Sequence, residues 1–222
     1  LRLLEVGCGD GKFLDAASKA GWESLVGIDL VQDSVDICLK KGHEAHCCDG
    51  QDLIDRFPHF GGKFDCIAGF HVLEHVPDPV SLVDQALPLL KPDGALFLSF
   101  PYSPNDCECQ VYDPRLYPPH HLTRWSMPAI LALGNRFGLE TICHFSRPRS
   151  LMRRLSHSLF CRLRAEGRNW SVPARFIFAM RHPITIAAEV LRQMQRMRVR
   201  IQGQTVSDHV LIEFKVKRGL AA

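Results

Sequence analysis

The chain has 222 residues, 46% of them hydrophobic and 23% charged, with a formal net charge of +3. These are the proportions of an ordinary soluble globular protein with a sizeable core, and the charge is too mild to name a partner. No uninterrupted apolar run is long enough to span a bilayer, and nine cysteines, an odd count without a repeated spacing, argue against a disulfide framework and for a reduced, cytoplasmic setting. The first stretch, LRLLEVGCGDGKFL, opens inside a strand without an initiator Met, which reads as a piece of a longer protein. Leu3 to Val6 is a short apolar strand. Gly7, Gly9 and Gly11 punctuate a turn around Cys8 and Asp10, and a helix follows from about Lys12 to Lys19, closing at Gly21. A buried strand, a glycine turn and a helix N-terminus together suit a nucleotide-type ligand, because the glycines admit close approach and the helix start offers unpaired N–H groups.

Strand and helix then alternate. Ser24–Ile28 is a second strand ending in Asp29, and a helix over Asp33–Lys41 stops at Gly42. A short third strand, Glu44–Cys47, precedes Asp49. Gly61 and Gly62 break the chain before a fourth strand, Phe64–Gly69. Pro77 and Pro79 frame a helix whose apolar period runs over Val80–Leu90. Lys91–Gly94 reads as a turn, and Ala95–Phe100 as a fifth strand covered on both faces. Pro101–Trp125 is a long polar loop. Ser126 suits the cap of a helix through Asn135, Gly138 ends it, Leu139–Phe145 is a sixth strand, and Asp208–Lys217 alternates as the last. Repeated strand–helix units predict a Rossmann-like α/β fold: a doubly wound, mostly parallel seven-stranded sheet with an antiparallel last strand and a helical insertion before it. The predicted organisation is a single domain over 1–222, with a cofactor-binding core over 1–146, a basic helical insertion over 147–203, and the last strand and tail over 204–222.

The run E-V-G-C-G-D-G resembles the first motif of class I S-adenosylmethionine-dependent methyltransferases. The string VLEHVPDP, followed by LKPDG and an apolar strand, closely resembles the fourth and fifth strand region of small-molecule enzymes of that class. The resemblance covers Leu3 to about Phe145 and the last strand. It implies S-adenosyl-L-methionine as cofactor, held by Glu5 near the methionine amino group and by the turn of Gly7, Cys8, Gly9 and Gly11. Asp29 would follow at the ribose, with Leu30 also binding the cofactor, Asp49 and Gly50 at the adenine, and Phe70 and His71 at the carboxyl end of the fourth strand. Independently of the family, an Asp after the second strand suits both ribose hydroxyls. An Asp-Gly pair such as Asp49–Gly50 is equally a common turn.

Two histidine groups compete for a catalytic role. His71, Glu74 and His75 stand at i, i+3 and i+4, one face if the stretch is helical. That spacing suits a divalent metal, and the similar stretch in ubiquinone-pathway O-methyltransferases carries acids and a His. Here His71 replaces an acid, so no metal is expected, and Glu74 and His75 are read as capping or pairing at the helix start. His120 and His121 lie in PPHHLTRWS, which resembles a sugar-, lipid- or small-molecule-methylating subset. Either can take a hydroxyl proton as general base, or hydrogen-bond to loop backbone and orient the loop. Cys107, Cys109 and the two histidines do not match a structural zinc spacing.

Base-methylating enzymes carry an Asn/Asp-Pro-Pro-aromatic element where this chain has Gly69-Phe70-His71. Protein arginine methyltransferases bring two glutamates where Glu74 stands alone. Both absences favour an oxygen acceptor. Between Arg147 and Arg200 thirteen arginines face Glu166 and Glu189 with no lysine. Arg192, Arg196 and Arg200 form a stripe opposite apolar positions. Such a segment suits an anionic, lipid-linked acceptor or peripheral contact with an acidic membrane, and its scarcity of aromatic residues disfavours nucleic acid. The expected function is O-methylation of a small-molecule, sugar or lipid-linked acceptor. The alternatives are a nicotinamide-dependent oxidoreductase, against which Lys12 falls where a third GxGxxG glycine belongs, and a non-catalytic S-adenosylmethionine-binding domain.

Overall fold

The structure, a computed structural model, describes residues 1–50, 52–104, 116–145, 155–156, 180–188, 190–191 and 209–216. It divides into two compact units, one of Leu1–Pro101, His121–His144 and His209–Ala222, the other of Tyr102–His120 and Phe145–Asp208.

The first unit is built on a seven-stranded sheet. Its strands are β1 (Arg2–Val6), β2 (Ser24–Asp29), β3 (Glu44–Cys47), β4 (Phe64–Phe70), β5 (Leu90–Pro101), β6 (Leu139–Phe145) and β7 (His209–Val216), in the order β3-β2-β1-β4-β5-β7-β6. β1 pairs in parallel with β2 and β4, β2 with β3, and β4 with β5, while β7 runs antiparallel to β5. The sheet is the predicted one, antiparallel last strand included. Leu3, Leu4, Val26, Ile28, Ile67, Leu96, Phe100, Ile212 and Phe214 are fully buried along it. Continuous apolar strands of this kind need cover on both faces, which the crossover helices supply. The strand order reverses between β1 and β4. Open parallel sheets place ligands in the crevice at the carboxyl ends of such a pair.

The helices are α1 (Lys12–Lys19), α2 (Gln32–Lys40), α3 (Leu53–Arg56), α4 (Pro79–Ala86) and α5 (Met127–Arg136). α1 buries Leu14 and Ala17, and α2 buries Val35 and Cys38. α4 is capped by Asp78, whose Oδ1 accepts the N–H groups of Val80 and Ser81 at 3.0 Å each. That satisfies two of the donors a helix start leaves open.

Several boundaries differ from the sequence reading. Lys91–Gly94 is not a turn between elements but an outward excursion within β5, because Leu90 and Ala95 both pair with β4, opposite Phe64 and Cys66. α4 therefore ends at Ala86, a single 3-10 turn over Leu87–Leu89 follows, and Leu90 already belongs to the sheet. α3 and the 3-10 turn Pro58–Phe60 had no apolar period long enough to reveal them. Ser126 stands at the N-cap of α5 but makes no side-chain cap bond. In the second unit, residues 155–156, 180–181, 183–188 and 190–191 are helical. The rest of the expected helical insertion over 147–203, with Arg192, Arg196 and Arg200, lies outside the described residues, as do Cys107 and Cys109.

Candidate active site

The donor side of the site is assembled by the end of β1. The N–H groups of Gly7 and Cys8 both donate to the Ile28 carbonyl, at 2.8 and 2.9 Å, so the glycine turn is pinned to the last turn of β2. Gly7 sits at φ 73°, and a Cβ there would lie 2.5 Å from Val72 Cγ2. Gly9, at φ 50°, has open space where its Cβ would be. The first glycine thus admits the residue after His71, and the second leaves room for a ligand. Gly11 is the N-cap of α1.

Asp29 closes this turn. Its Oδ2 accepts the Gly9 N–H at 2.8 Å and its Oδ1 the Val31 N–H at 2.9 Å. Each carboxylate oxygen keeps a further lone pair for a ligand hydroxyl. Leu30 beside it is 67% exposed, an apolar surface at the mouth of the crevice. Asp49 follows β3, and Gly50 is buried, its Cα facing Val6 and Leu82 too closely for a larger residue to enter without displacement. Phe70 packs on Phe13 of α1 with ring centroids 4.6 Å apart.

Glu5 is the unusual member. It is 4% exposed on β1, and its Oε2 has no hydrogen-bond partner. Burial, with Asp29 and Asp10 adding repulsion, pushes its carboxyl up to about 8. A buried carboxylate without a partner is costly, and a ligand cation would relieve that cost. A methionine-type ammonium meets that need, a hydroxylated ribose fits the spare lone pairs of Asp29, and the open space over Gly9 gives passage. The residues present fit the cofactor that the sequence resemblance implies.

A second group of polar side chains begins where β4 ends. His71 has φ 56°, a left-handed conformation that a side chain with a Cβ adopts at a cost of about 1–2 kcal/mol. Its N–H donates to the Ser99 carbonyl at 2.8 Å, and its Nδ1 lies 3.0 Å from Glu74 Oε1. Glu74 is 1% exposed, and its Oε2 has no hydrogen-bond partner. The carboxylate holds the His71 imidazole above its ordinary pKa, against the opposing effect of burial. The His71 ring meets the His209 ring of β7 edge-on at 5.1 Å. Leu122 and Thr123 both donate their N–H groups to the Glu74 carbonyl, at 2.7 and 3.3 Å, and the Thr123 hydroxyl donates to the Leu73 carbonyl at 3.1 Å. Leu122 and Thr123 are thereby tied to the turn after β4. His121 stacks edge-on with His75 at 4.8 Å, and one ligand-capable atom each from Glu74, His75 and His121 lie within 4.8 Å of one another, close enough to share a cation.

A family profile described as "Methyltransferase domain" matches residues 1–158. The chain belongs to the methyltransferase domain family. Among curated relatives, the "Ubiquinone biosynthesis O-methyltransferase" of Actinobacillus pleuropneumoniae serotype 7 is 38% identical over 105 residues, 44% of this chain and 44% of the relative. The match thus spans less than half the length of that relative. Among solved structures, a "SAM dependent methyltransferase from Archaeoglobus fulgidus" superimposes with a TM-score of 0.64 at 16% identity, over 96% of this chain and 85% of that one. The "Phosphoethanolamine N-methyltransferase 2" of Haemonchus contortus, in complex with S-adenosyl-L-methionine, gives 0.59 at 15% identity, over 97% and 49%. These two likenesses show the fold.

Within this methyltransferase domain the structure gathers Glu5, Gly7, Cys8, Gly9, Gly11, Asp29 and Leu30 around the glycine turn, with Phe70 and His71 on the adjoining strand end. Of the catalytic candidates in this unit, His71 meets Glu74 directly and His121 comes with His75 to within 4.8 Å of it. His120 belongs to the other compact unit, where its N–H donates to the Tyr117 carbonyl at 3.0 Å. His71 and Glu74 are brought together by a turn rather than by a helix face, and Glu74 makes no helix cap; the cap of α4 is Asp78. Glu74 is the functional candidate that sequence reasoning passed over as a helix-start residue. Its i, i+3 spacing from His71 was the available signal.

Proposed function

We propose that this chain is the catalytic domain of an S-adenosyl-L-methionine-dependent O-methyltransferase whose acceptor is a hydroxyl on a small or lipid-linked molecule. The observation that carries the reading is His71, held at the carboxyl end of β4 while its neighbour Val72 packs against Gly7. A base is thereby set beside the turn that takes the donor. The relatives named for ubiquinone biosynthesis support an oxygen acceptor and a lipid-linked phenol as its chemistry.

When bound, the cofactor supplies an electrophilic methyl group. Everything else falls to the chain. Glu5 would receive the ammonium, Asp29 the ribose hydroxyls, and Asp49 with the Gly50 N–H the adenine edge, with Leu30 also lining the cofactor. His71 Nε2 accepts the acceptor hydroxyl proton, so that the oxygen becomes a nucleophile as it is aligned. Orientation and proton removal are the two contributions a methyl transfer needs from a protein.

The test is calorimetry followed by an acceptor screen. S-adenosylmethionine and its demethylated product bind, and NAD does not. Asp29→Ala weakens binding by about 1.5–3 kcal/mol, through lost charge-assisted hydrogen bonds and an unfastened Gly9 turn. With a labelled methyl donor, label passes to polyprenylated phenols and not to matched amines. Tight NAD binding, or transfer to the amines alone, overturns the reading.

The membrane side of the reading rests on 147–200. The exposed Arg181 stands between Met180 and Ile184, apolar residues 72% and 84% exposed. Basic and apolar groups together at a surface suit an interface with acidic lipid. Co-sedimentation with acidic vesicles is expected to fall as salt rises, and to fall again when Arg192, Arg196 and Arg200 are changed to Gln. Equal binding to neutral vesicles, or none to acidic ones, removes the membrane from the proposal.

A further inference from the structure

We infer that Glu74 is a positioning residue for the reaction: its buried carboxylate fixes the His71 ring and tautomer so that Nε2 faces the acceptor as a proton acceptor. The inference rests on the reading of His71 as the base, and deepens it.

A carboxylate has no proton to give, so the His71 Nδ1 that lies 3.0 Å from Glu74 Oε1 must carry the hydrogen. In the neutral imidazole the lone pair then belongs to Nε2. Two further contacts and the backbone conformation restrain the residue. The Ser99 carbonyl holds its N–H at 2.8 Å, the His209 ring of β7 stands edge-on at 5.1 Å, and the backbone is left-handed at φ 56°. A strained backbone persists only where surrounding structure over-determines it, and such places concentrate at functional sites.

Glu74 is itself fixed from behind. Its carbonyl takes the N–H groups of Leu122 and Thr123, so the backbone that carries the carboxylate is clamped by the segment following the PPHH motif. The side chain is 1% exposed, yet one of its oxygens has no hydrogen-bond partner. A purely structural buried acid is normally satisfied at both oxygens. This arrangement leaves Glu74 with charge to spare for a cation that forms nearby, and an imidazolium forms at His71 when it takes the acceptor proton. The titratable groups facing the pair are His209 from β7, His75 from the same turn, and His121 from the following loop. Glu74 is the acid beside His71, and its hydrogen bond is the main reason the His71 pKa is raised.

The test uses the whole chain with 15N-labelled histidine, in the presence of a chelator so that no adventitious cation occupies Glu74. His71 is assigned by the signal lost in His71→Asn. In the wild type its neutral ring shows a protonated Nδ1 and an unprotonated Nε2. In Glu74→Met, which keeps length and apolar burial, the signal moves to a mixture of tautomers, and in Glu74→Gln it moves less. The turnover number falls at least tenfold in Glu74→Met while KM for donor and acceptor stay within about threefold, as expected when a base is misoriented and binding is intact. An unchanged His71 tautomer in a folded Glu74→Met overturns the inference whatever the reaction proves to be. If the tautomer changes but Glu74→Met and His71→Asn both turn over at the wild-type rate, the positioning role in catalysis fails because His71 is not the base. Removal of the acceptor proton then falls to a group other than His71.

Discussion

His71→Ala lowers methyl transfer to a hydroxyl acceptor by about a hundredfold or more and leaves donor affinity within a factor of about two. The size follows from removing a positioned general base, typically worth 10²–10⁴ in rate. The selectivity follows from place: His71 lies after β4, while the groups proposed to hold the donor are Glu5, the glycine turn and Asp29, whose carboxylate accepts the Gly9 and Val31 N–H groups. The wild-type rate rises with pH as the imidazole loses its proton. Because Glu74 raises the His71 pKa, that inflection lies above the ordinary histidine value, and it vanishes in His71→Ala. The sign for stability is the reverse of that for rate. A histidine whose folded-state pKa is raised adds stability that is full below its unfolded value and lost as pH rises through the folded one. The pH at which the pair stabilises the fold is thus lower than the pH at which it works. Activity in His71→Ala equal to the wild type, measured on an accepted phenol, removes His71 from the mechanism. His121 is then the remaining candidate in the same compact unit.

The strand, glycine turn and helix that would face the donor were legible because they are local in sequence. β1, the turn and α1 are contiguous, so Glu5 and the three glycines announce a strand, a close approach and a helix start within a dozen residues. Asp29 is marked by its position at the end of an apolar strand. The sheet was legible for a similar reason: each apolar run was short, bounded by Gly or Pro, and separated from the next by a helix. The parts that were missed depend on pairing across the sheet or on distant chain. Lys91–Gly94 looks like a turn until Leu90 is seen to pair with Phe64. Ser126 has the chemistry of a cap and does not use it. His71 and Glu74 have a helical spacing but are joined by a turn, and their neighbours come from β7, Leu122 and Thr123. No local pattern reports the left-handed backbone of a histidine. The choice between His71 and the PPHH pair therefore could not be made from spacing alone; it rests on which strand end lies against Gly7.

The stability of the donor-free protein falls as pH rises from about 5 to 8, and Glu5→Gln abolishes most of that fall. The argument begins with burial. Glu5 is 4% exposed in the middle of the sheet, its Oε2 has no partner, and Asp29 and Asp10 add negative charge nearby. These push its carboxyl from 4.5 to about 8. Between those values the folded chain keeps a proton that the unfolded chain has released, so unfolding releases a proton and each rise in pH favours it. The effect is complete below the unfolded value and exhausted above the folded one. Its size is on the order of 4 kcal/mol across the window, enough to move a melting temperature by many degrees. A neutral Gln has no such window. Donor binding works in the opposite direction. An ammonium placed against Glu5 favours the ionised carboxylate, so binding near pH 7 expels a proton. Calorimetry in buffers of different ionisation enthalpy reads that proton directly. Glu5→Gln loses both the proton release and about 1.5–3 kcal/mol of donor affinity, the worth of a hydrogen bond to a charged group. Thermal melts at half-unit pH steps, with and without donor, test the two halves separately. A wild-type melting curve that tracks Glu5→Gln from pH 5 to 9 shows that Glu5 is already ionised and paired in the free protein. Proton release that persists in Glu5→Gln assigns the ammonium to another group.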